Sequence, residues 1–365
     1  MLVTMDERNA YIALNAMQKI GPVSVRSWVQ YLGSAACLFD ADPSMLRSTP
    51  DVSANVVEAF LEQRGKVSPE DEVDKAEGVG AHIVTQVDSE YPPFLKTIHD
   101  PPLALYVQGH LTLADQQAIG VVGTRHPTHY GTAVAERLSS QLSQSGFTIV
   151  SGLALGIDTA AHRAAIATKG RTLAVLGGAL NCLYPESNRD LAVSIAKQGA
   201  VISEFPMGRA PDRTTFPMRN RIISGLSKGV IVVEADHKSG AMISARMAMT
   251  QGRTVFAVPG RIDNPRSAGC HALIRDGAVL VTDAADIFEE FSFLIPRRES
   301  TEASSPRLSE VDQRVFELIP VGDERDIDSL IRESGLGASE VQVALLSLEM
   351  RRLIRMLPGR QVTRT

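Results

Sequence analysis

The stretch AIGVVGTRHPTHYGTAVAERLSSQLSQSGFTIVSGLALGIDTAAHRAAIATKGRTLAVLGG, residues 118–178, decides the fold of this chain. Short apolar runs rich in β-branched residues alternate in it with longer stretches of helical pattern. Apolar runs this short and uniform are typical of strands that are covered on both faces. The stretch therefore predicts strand–helix–strand units with helices on both faces of a parallel sheet.

The same alternation continues towards the end of the chain. Apolar runs predict strands at residues 119–122, 148–150, 172–176, 200–202, 230–233, 254–258 and 279–281, and helical patterns lie at 131–145, 158–168, 188–198 and 241–250. Residues 82–86 (HIVTQ) are a further candidate strand, and the proline pairs after them predict extended segments. The fold class is therefore α/β, with an extended Rossmann-like doubly wound parallel sheet.

The segments on either side of this predicted sheet have different sequence patterns. Residues 1–66 predict a domain of short helices, and residues 67–118 predict a linker and extension that lead into the core. The Rossmann-like domain is assigned to residues 119–295 and a polar linker to 296–306. Residues 307–365 predict three short helices and two strands, which is the pattern of a winged helix.

The composition is that of an ordinary globular chain, with 365 residues, 44% hydrophobic residues and a formal net charge of −5. No run of 18 or more apolar residues occurs, so the sequence predicts no membrane association. Cys37, Cys182 and Cys270 are widely spaced and form no CxxC pair. This predicts neither a disulfide framework nor a metal site, and it favours a cytoplasmic location.

The charge is unevenly distributed along the chain. Residues 1–118 carry 8 Lys and Arg against 16 Asp and Glu, a balance of −8. Residues 119–290 carry 18 against 14, a balance of +4. A polyanion is therefore expected to bind the middle segment, although the whole chain is acidic.

The segment SEFPMGRAPDRTTFPMRNRIISGLS, residues 203–227, is the most informative one for function. It contains four arginines among three prolines and two phenylalanines: Arg209, Arg213, Arg219 and Arg221. We interpret it as an open loop that prolines hold at fixed angles. Guanidinium groups bind phosphate in bidentate fashion, and a ring such as Phe216 offers a face to an unstacked base. The segment predicts a single-stranded nucleic-acid site; the alternative is a surface loop whose arginines pair with carboxylates.

Small and basic residues also follow other predicted strands. Ligands of open α/β sheets bind beyond the carboxyl ends of the strands, so these residues are expected to share one edge with the arginine segment. Gly123 and Gly152 would allow close approach of the backbone, and Arg125 would hold a phosphate beside a helix N-terminus. Ser239 and Gly240, before a predicted helix, would supply free N–H groups to an anion. Arg261 and Arg266 flank the same edge.

The sequence gives weaker support for catalytic groups than for a binding site. Glu234 is either a general base or a partner that orients Arg219 or Arg221, and we favour the second role. Ser151, Asp158 and His162 suggest a triad, but the serine lacks the GxSxG elbow that exposes a nucleophile, so capping by Asp158 and helix packing are favoured. The sequence shows no convincing nucleophile, metal cluster or phosphate-loop lysine. It predicts a binding protein without a cofactor rather than an enzyme.

Seven motifs in a fixed order carry a family resemblance: VGTR, SGLALGIDTAAH, LAVLGGALNCLYPESN, SEFPMG, FPMRNRIISGLS, VVEADHKSGAMISA and VFAVPG. Between residues 120 and 278 the chain resembles the DNA-processing protein A (DprA, or Smf) family. The resemblance implies a Rossmann domain that binds and protects single-stranded DNA and recruits the RecA recombinase, best known in natural transformation. The helical segment resembles the SAM-like domain of many members, and the C-terminal segment resembles the winged helix of some.

The resemblance also implies roles for individual residues. Arg125 matches the arginine of the family's G-[ST]-R motif. Arg213 matches the basic residue three before the FP of the family's FPxRN motif, Phe216 matches its aromatic residue, and its RNR run is matched by Arg219, Asn220 and Arg221. The family's dimer contact implies His271 and Leu280 as homodimer residues, although this chain has Gly-Cys-His where many members have Gly-Thr-Asn.

Two alternatives remain open. A nucleotide-binding or nucleotide-hydrolysing Rossmann enzyme would need the glutamate of a PGGxGTxxE pattern. The sequence LGGALN here is not followed by GTxxE, so that glutamate has no counterpart. A winged-helix regulator of duplex DNA would need a basic recognition helix. The predicted helix 338–351 has Glu340 and Glu349 against Arg351, which favours protein docking or an interdomain role.

Overall fold

Nine strands form one sheet in the computed structural model, which describes residues 5–292, 309–320, 325–350, 353–357 and 361–364. The strands are β1 His82–Thr85, β2 Ala104–Gly109, β3 Ala118–Val122, β4 Thr148–Ser151, β5 Thr172–Val175, β6 Ala200–Ser203, β7 Gly229–Val232, β8 Thr254–Ala257 and β9 Val279–Leu280. Their order is β1-β2-β6-β5-β4-β3-β7-β8-β9, and every pair from β6 to β9 is parallel. The predicted doubly wound α/β fold is confirmed.

The first two strands extend the sheet at the β6 edge. β1 pairs with β2, and β2 pairs with β6, both in antiparallel fashion, with Tyr106 opposite Ser203. Both strands lie in the segment 67–118. Pairing with β2 satisfies backbone groups that β6 would otherwise present as an open edge.

Helices cover both faces of the sheet. Their bounds are α1 Glu7–Ala16, α2 Pro22–Leu32, α3 Cys37–Asp40, α4 Pro43–Arg47, α5 Ala54–Gln63, α6 Pro69–Glu77, α7 Pro93–Lys96, α8 His129–Gln144, α9 Ile157–Ala167, α10 Arg189–Gln198, α11 Thr215–Leu226, α12 Gly240–Thr250, α13 Ala268–Arg275 and α14 Ala284–Ser292. Short 3-10 turns lie at Leu113–Gln117, Leu180–Cys182, Glu186–Asn188 and Pro265–Ser267. On one face α8, α9 and α14 share a hydrophobic core with Ile119 and Val121 of β3, and on the other α11, α12 and α13 share one with Ala118 and Val122.

Helix α11 occupies the part of the arginine segment that we predicted as an open loop. Pro217 lies in the first turn, where its missing N–H costs no helical hydrogen bond. Asp212 accepts hydrogen bonds from the N–H groups of Thr214 and Thr215 before the helix begins. The loop prediction was wrong here because the proline starts a helix rather than preventing one.

The N-terminal helices α1 to α5 pack around Trp28 and Phe60, whose ring centroids are 5.3 Å apart. They also contact the sheet domain, since Asn15 Nδ2 donates to the carbonyl oxygen of Glu204 at 2.9 Å. The predicted helical character of this segment is confirmed, and its assignment as SAM-like stays a prediction.

Residues 292–365 form a second unit. It contains α15 Glu310–Glu317, β10 Arg325–Asp326, α16 Ile327–Ser334, α17 Ala338–Met350, β11 Ile354–Leu357 and β12 Gln361–Arg364, with the strands in the order β10-β12-β11. The predicted winged-helix pattern is confirmed. The predicted linker 296–306 lies outside the described residues, and the domain boundaries stay predictions. Each helix in the described part of the chain is too short or too polar to cross a bilayer.

Candidate nucleic-acid interface

A cleft of about 480 Å³ opens where the parallel strands end, an edge that we call the carboxyl edge. Eight predicted DNA-binding residues line it: Gly123, Arg125, Arg213, Phe216, Arg219, Asn220, Ser239 and Gly240. They come from the loops after β3 and β7 and from the starts of α11 and α12. Gly152 lines a small adjoining pocket with Arg125, Phe216, Arg219 and Tyr184. Segments far apart in the sequence thus converge on one edge of the sheet.

The Phe216 ring is surrounded by cations and a second ring. The guanidinium carbon of Arg125 lies 5.3 Å from the ring centroid, and that of Arg219 lies 5.9 Å from it. The Tyr184 ring is 6.1 Å away, centroid to centroid, and its side chain is more than half exposed. Phe216 itself is half-buried, whereas Arg125 and Arg213 are exposed. The site therefore combines a ring that a base could contact with cations that are free to reach phosphates.

Arg219 lies under this surface and is 5% exposed. Its Nη1 donates to the carbonyl oxygens of Gly152 at 2.5 Å and Val175 at 2.6 Å, which ties the ends of β4 and β5 to α11. Burial lowers the pKa of Arg219 to about 10, so the guanidinium remains charged at neutral pH. Arg219 supplies positive charge from below the cleft and holds its floor together.

The two predicted glycines are explained by close packing within the protein. A Cβ at Gly123 would lie 2.5 Å from Cγ1 of Ile157, and a Cβ at Gly152 would lie 2.1 Å from Nη1 of Arg219. Neither space is available to a ligand. The prediction that these glycines let a DNA strand approach is therefore corrected: they let α9 and Arg219 approach.

Arg221 does not belong to the cleft. Its Nε lies 3.0 Å from Asp100 Oδ2 and its Nη2 lies 2.5 Å from Glu204 Oε2, and the residue is 4% exposed. Two positions along a helix correspond to a rotation of about 200°, so Arg219 and Arg221 face different sides of α11. The predicted phosphate contact of Arg221 is corrected to a buried ion pair. Carboxylate pairing, our alternative for this segment, also applies to Arg209, which contacts Asp212 at 2.5 Å.

Glu234 positions the loop between β3 and α8 instead of an arginine. Its Oε1 accepts from the Thr128 hydroxyl at 2.6 Å and its Oε2 from the Thr128 N–H at 2.9 Å. The Thr124 N–H donates to the Glu234 carbonyl at 2.7 Å. The preferred role of Glu234, orienting Arg219 or Arg221, is therefore wrong.

The suggested triad is resolved into separate structural contacts. The Ser151 hydroxyl donates to the Val121 carbonyl at 2.6 Å, and His162 Nδ1 lies 2.7 Å from Thr172 Oγ1. Asp158 accepts from the N–H of Gly152 at 3.1 Å, and burial raises the pKa of this carboxyl. Residue 156, not Asp158, is the N-cap of α9, so that capping prediction is corrected.

The start of α12 forms the opposite wall of the cleft. Ser239 caps the helix by accepting from the Ala241 N–H at 3.3 Å, and Asn220 Nδ2 donates to the Gly240 carbonyl at 3.4 Å. The positive end of this helix thus lies beside Arg125 and Arg213 in the cleft.

Comparison with known proteins identifies the family. Residues 82–292 match the family "DNA recombination-mediator protein A", and residues 299–360 match the "DprA winged helix domain". The chain belongs to the DNA recombination-mediator protein A family. Protein Smf of Escherichia coli (strain K12) is 43% identical over 285 residues, which cover 76% of each chain.

The similar solved structures include two DNA processing proteins. DNA processing protein A of Streptococcus pneumoniae is 34% identical with a TM-score of 0.68, over 77% of this chain and 97% of that chain. DNA processing protein A of Helicobacter pylori, whose structure is described for its single-stranded DNA binding mode, is 30% identical with a TM-score of 0.53, over 59% of this chain and 97% of that one.

The two predicted dimer residues lie near the β9 edge. Leu280, on edge strand β9, is 46% exposed. His271 is half-buried, and its Nε2 lies 3.0 Å from the Gly260 carbonyl oxygen. Their role in a homodimer stays a prediction.

Sequence reasoning did not assign His126 and Asp236, which line the cleft. Tyr184 follows the Gly177-Gly178 pair after β5, a position from which the sequence predicts that it shapes a pocket wall, and it lines the adjoining pocket. His126 and Asp236 carry no comparable signal, because polar residues are common in such loops.

Proposed function

We propose that this protein is a single-stranded DNA-binding recombination mediator whose DNA site is the cleft at the carboxyl edge. The observation that carries the proposal is the convergence of exposed Arg125 and Arg213 with half-buried Phe216 in one cleft. Arginines neutralise phosphates, and a base stacks on an aromatic ring without regard to sequence. The structurally similar protein of H. pylori, described for its single-stranded DNA binding mode, supports this function.

The shape of the cleft favours a single strand over a duplex. In a duplex the base faces are covered by neighbouring bases, so a half-buried ring such as Phe216 has no face to stack on. An unstacked base can turn into the cleft while its phosphates stay near the exposed arginines. Arg219 and the start of α12 add positive charge at the same place.

The winged-helix unit also favours a single strand over a duplex as the ligand. Val343 is 69% exposed and Leu346 is 59% exposed on α17, so the helix that would read a duplex presents an apolar face. Base edges in the major groove are read mainly by polar side chains. We therefore infer that this module docks a protein and does not read duplex DNA.

We further propose that the protein acts in the cytoplasm as a homodimer, through His271 and Leu280, and carries out no catalytic step. Coating by such dimers would shield incoming single-stranded DNA from nucleases and present it to RecA during natural transformation. Membership of the DNA recombination-mediator family supports this role.

A competition experiment tests the DNA site. A labelled oligothymidylate bound to the full-length protein is challenged with unlabelled single-stranded DNA or with duplex of the same sequence, and fluorescence anisotropy is measured. We expect single-stranded DNA to compete far better than duplex. Equal competition would reject the assignment of the cleft to single strands.

A second experiment tests the mediator role. RecA filament formation is followed on single-stranded DNA that is first coated with the wild-type protein or with Phe216→Ala, since the variant should bind DNA less. We expect faster filament growth on DNA coated by the wild type. If coating slows RecA in both cases, the protein is a DNA-binding protein but not a mediator.

A further inference from the structure

A second pocket opens at the carboxyl edge beside the cleft. It has a volume of about 570 Å³ and is lined by Thr128, Tyr130, Pro259, Gly260, Arg261 and Asn264. We call it the Tyr130 pocket. The segment that joins β3 to the first turn of α8 lines both sites, with Arg125 in the cleft and Tyr130 in this pocket. The two sites are therefore neighbours on one continuous surface.

The Tyr130 ring is held in a fixed orientation. Its hydroxyl donates to the Pro259 carbonyl at 2.9 Å, while the side chain remains 51% exposed. Thr128, two residues earlier, is bound twice by the buried carboxylate of Glu234. A ring fixed at both its backbone and its hydroxyl loses little conformational freedom when a ligand stacks on it.

The chemistry of the walls suits a planar base. The Tyr130 ring, Pro259 and the backbone of Gly260 make the pocket mostly apolar. Arg261 is 83% exposed, and Asp263 holds its guanidinium group through two hydrogen bonds of 2.9 and 2.7 Å. Arg266 is also exposed, two residues after Asn264. Because Asp263 pairs with Arg261, the positive charge for the phosphates would come from Arg266 and from the neighbouring cleft. An apolar slot beside such cations matches a base and its phosphates.

We propose that the Tyr130 pocket is a second base-stacking site for the DNA strand that occupies the cleft. This inference rests on the proposed function. Phe216 lies against Gly177, just after β5, and the Tyr130 pocket lies after β8. Four strand spacings separate β5 from β8, or about 19 Å at about 4.8 Å each. A bound strand would cross this distance in several nucleotides, passing the exposed His126, and would run towards β9.

The alternative occupant is a second copy of the chain. Gly260 contacts His271 of the predicted dimer segment, and Ile262 beside the pocket is 97% exposed. The exposed cation Arg266 and continuity with the exposed arginines of the cleft favour a polyanion as the occupant.

The test compares Tyr130→Ala with wild type and with Tyr31→Ala, a control in which an equally exposed tyrosine is removed from α2. Affinity is measured by anisotropy on oligothymidylates from about 4 to about 16 nucleotides. We expect Tyr130→Ala to bind the shortest oligomers, which fill only the cleft, like wild type. On the longest oligomers it should bind about tenfold more weakly, as expected when one stacked base is lost. Tyr31→Ala should match wild type throughout.

The outcomes separate this inference from the proposed function. If Phe216→Ala weakens binding at all lengths but Tyr130→Ala weakens it at none, the second site is rejected and the cleft stands. If Phe216→Ala also binds like wild type, the proposed function itself fails. If Tyr130→Ala changes the sedimentation of the protein from dimer to monomer and weakens binding equally at all lengths, the pocket is a contact between copies and the inference is overturned.

A direct readout comes from Tyr130→Trp. The native Trp28 is fully buried in the N-terminal helices, so a new indole in the pocket can be followed against it. We expect long oligomers to quench the added fluorescence and short ones to leave it unchanged. Tyr31→Trp should show no quenching at either length. Equal signals from both variants would contradict stacking at residue 130.

Discussion

The buried carboxylate of Glu234 accepts both the N–H and the hydroxyl of Thr128, at 2.9 and 2.6 Å, and so anchors the segment that carries Arg125 in the loop and Tyr130 in the first turn of α8. Glu234 follows β7, whereas the loop follows β3. One side chain from a neighbouring strand therefore sets the positions of a cation in the cleft and a ring in the Tyr130 pocket.

Replacing Thr128 should weaken both the fold and DNA binding. Thr128→Val keeps the shape but leaves the Glu234 carboxylate short of a buried partner and removes the side-chain cap of α8. We expect the free energy of unfolding in urea to fall by about 1–3 kcal/mol and single-stranded DNA affinity to fall with it. Thr128→Ser, which keeps the hydroxyl, should stay close to wild type. Equal stability of the valine variant and wild type would contradict the anchoring role.

Phe216 should contribute stacking without neutralising charge. We expect Phe216→Ala to bind single-stranded DNA about tenfold more weakly, with nearly the same dependence of affinity on salt. Phe216→Leu keeps apolar bulk without a ring and serves as the matched variant. If the leucine variant binds like wild type in an anisotropy titration, the ring acts as packing and not as a base contact.

Arg125 should contribute charge, since its guanidinium is exposed in the cleft. We expect Arg125→Ala to lower both the affinity and the slope of log K against log salt, the slope by about 1. Arg209→Ala provides a control, because that exposed arginine is paired with Asp212 outside the cleft. The assignment is rejected if the two variants show the same salt slope.

Arg221 should support the fold and not the DNA contact. Removing it leaves Glu204 buried without its partner, which typically costs about 3–5 kcal/mol. We expect Arg221→Ala to unfold at clearly lower urea concentration, while the folded protein keeps the wild-type salt slope for DNA binding. A reduced slope with unchanged stability would restore Arg221 to the DNA site.

His162 should make stability depend on pH. Burial lowers the pKa of this histidine from 6.5 to about 3, so it is neutral in the folded protein. The unfolded chain binds the proton below about pH 6.5, so this part of the stability is present above that pH and is lost as pH falls towards 3. At pH 5 the loss is about 2 kcal/mol. Between pH 7 and pH 5, the free energy of unfolding in urea should fall by about 2 kcal/mol less for His162→Leu than for wild type. An identical fall in both proteins would refute the assignment.

Local patterns were enough to predict the sheet and the edge where the candidate site lies. Short apolar runs rich in β-branched residues between longer helical stretches are typical of buried strands, and parallel strands bring their carboxyl ends together. Arg125, Arg213 and Phe216 could be assigned to one edge on this basis, although their segments are distant in sequence. The start of α12 could be placed there for the same reason.

The different environments of two neighbouring arginines could not be predicted in this way. Arg219 and Arg221 are two positions apart, and both belong to the same motif. Only the packing of α11 between the sheet and the segment around α7 turns one towards the cleft floor and the other towards Asp100 and Glu204.

The sequence by itself determined the parallel sheet, its carboxyl edge and the kind of chemistry gathered there, because periodicity and residue type are local properties of the chain. Tertiary structure alone decided that Arg221 is buried in an ion pair and that Glu234 anchors Thr128. These outcomes depend on partners supplied by distant segments, and a burial cost or a hydrogen bond exists only once those segments are packed together.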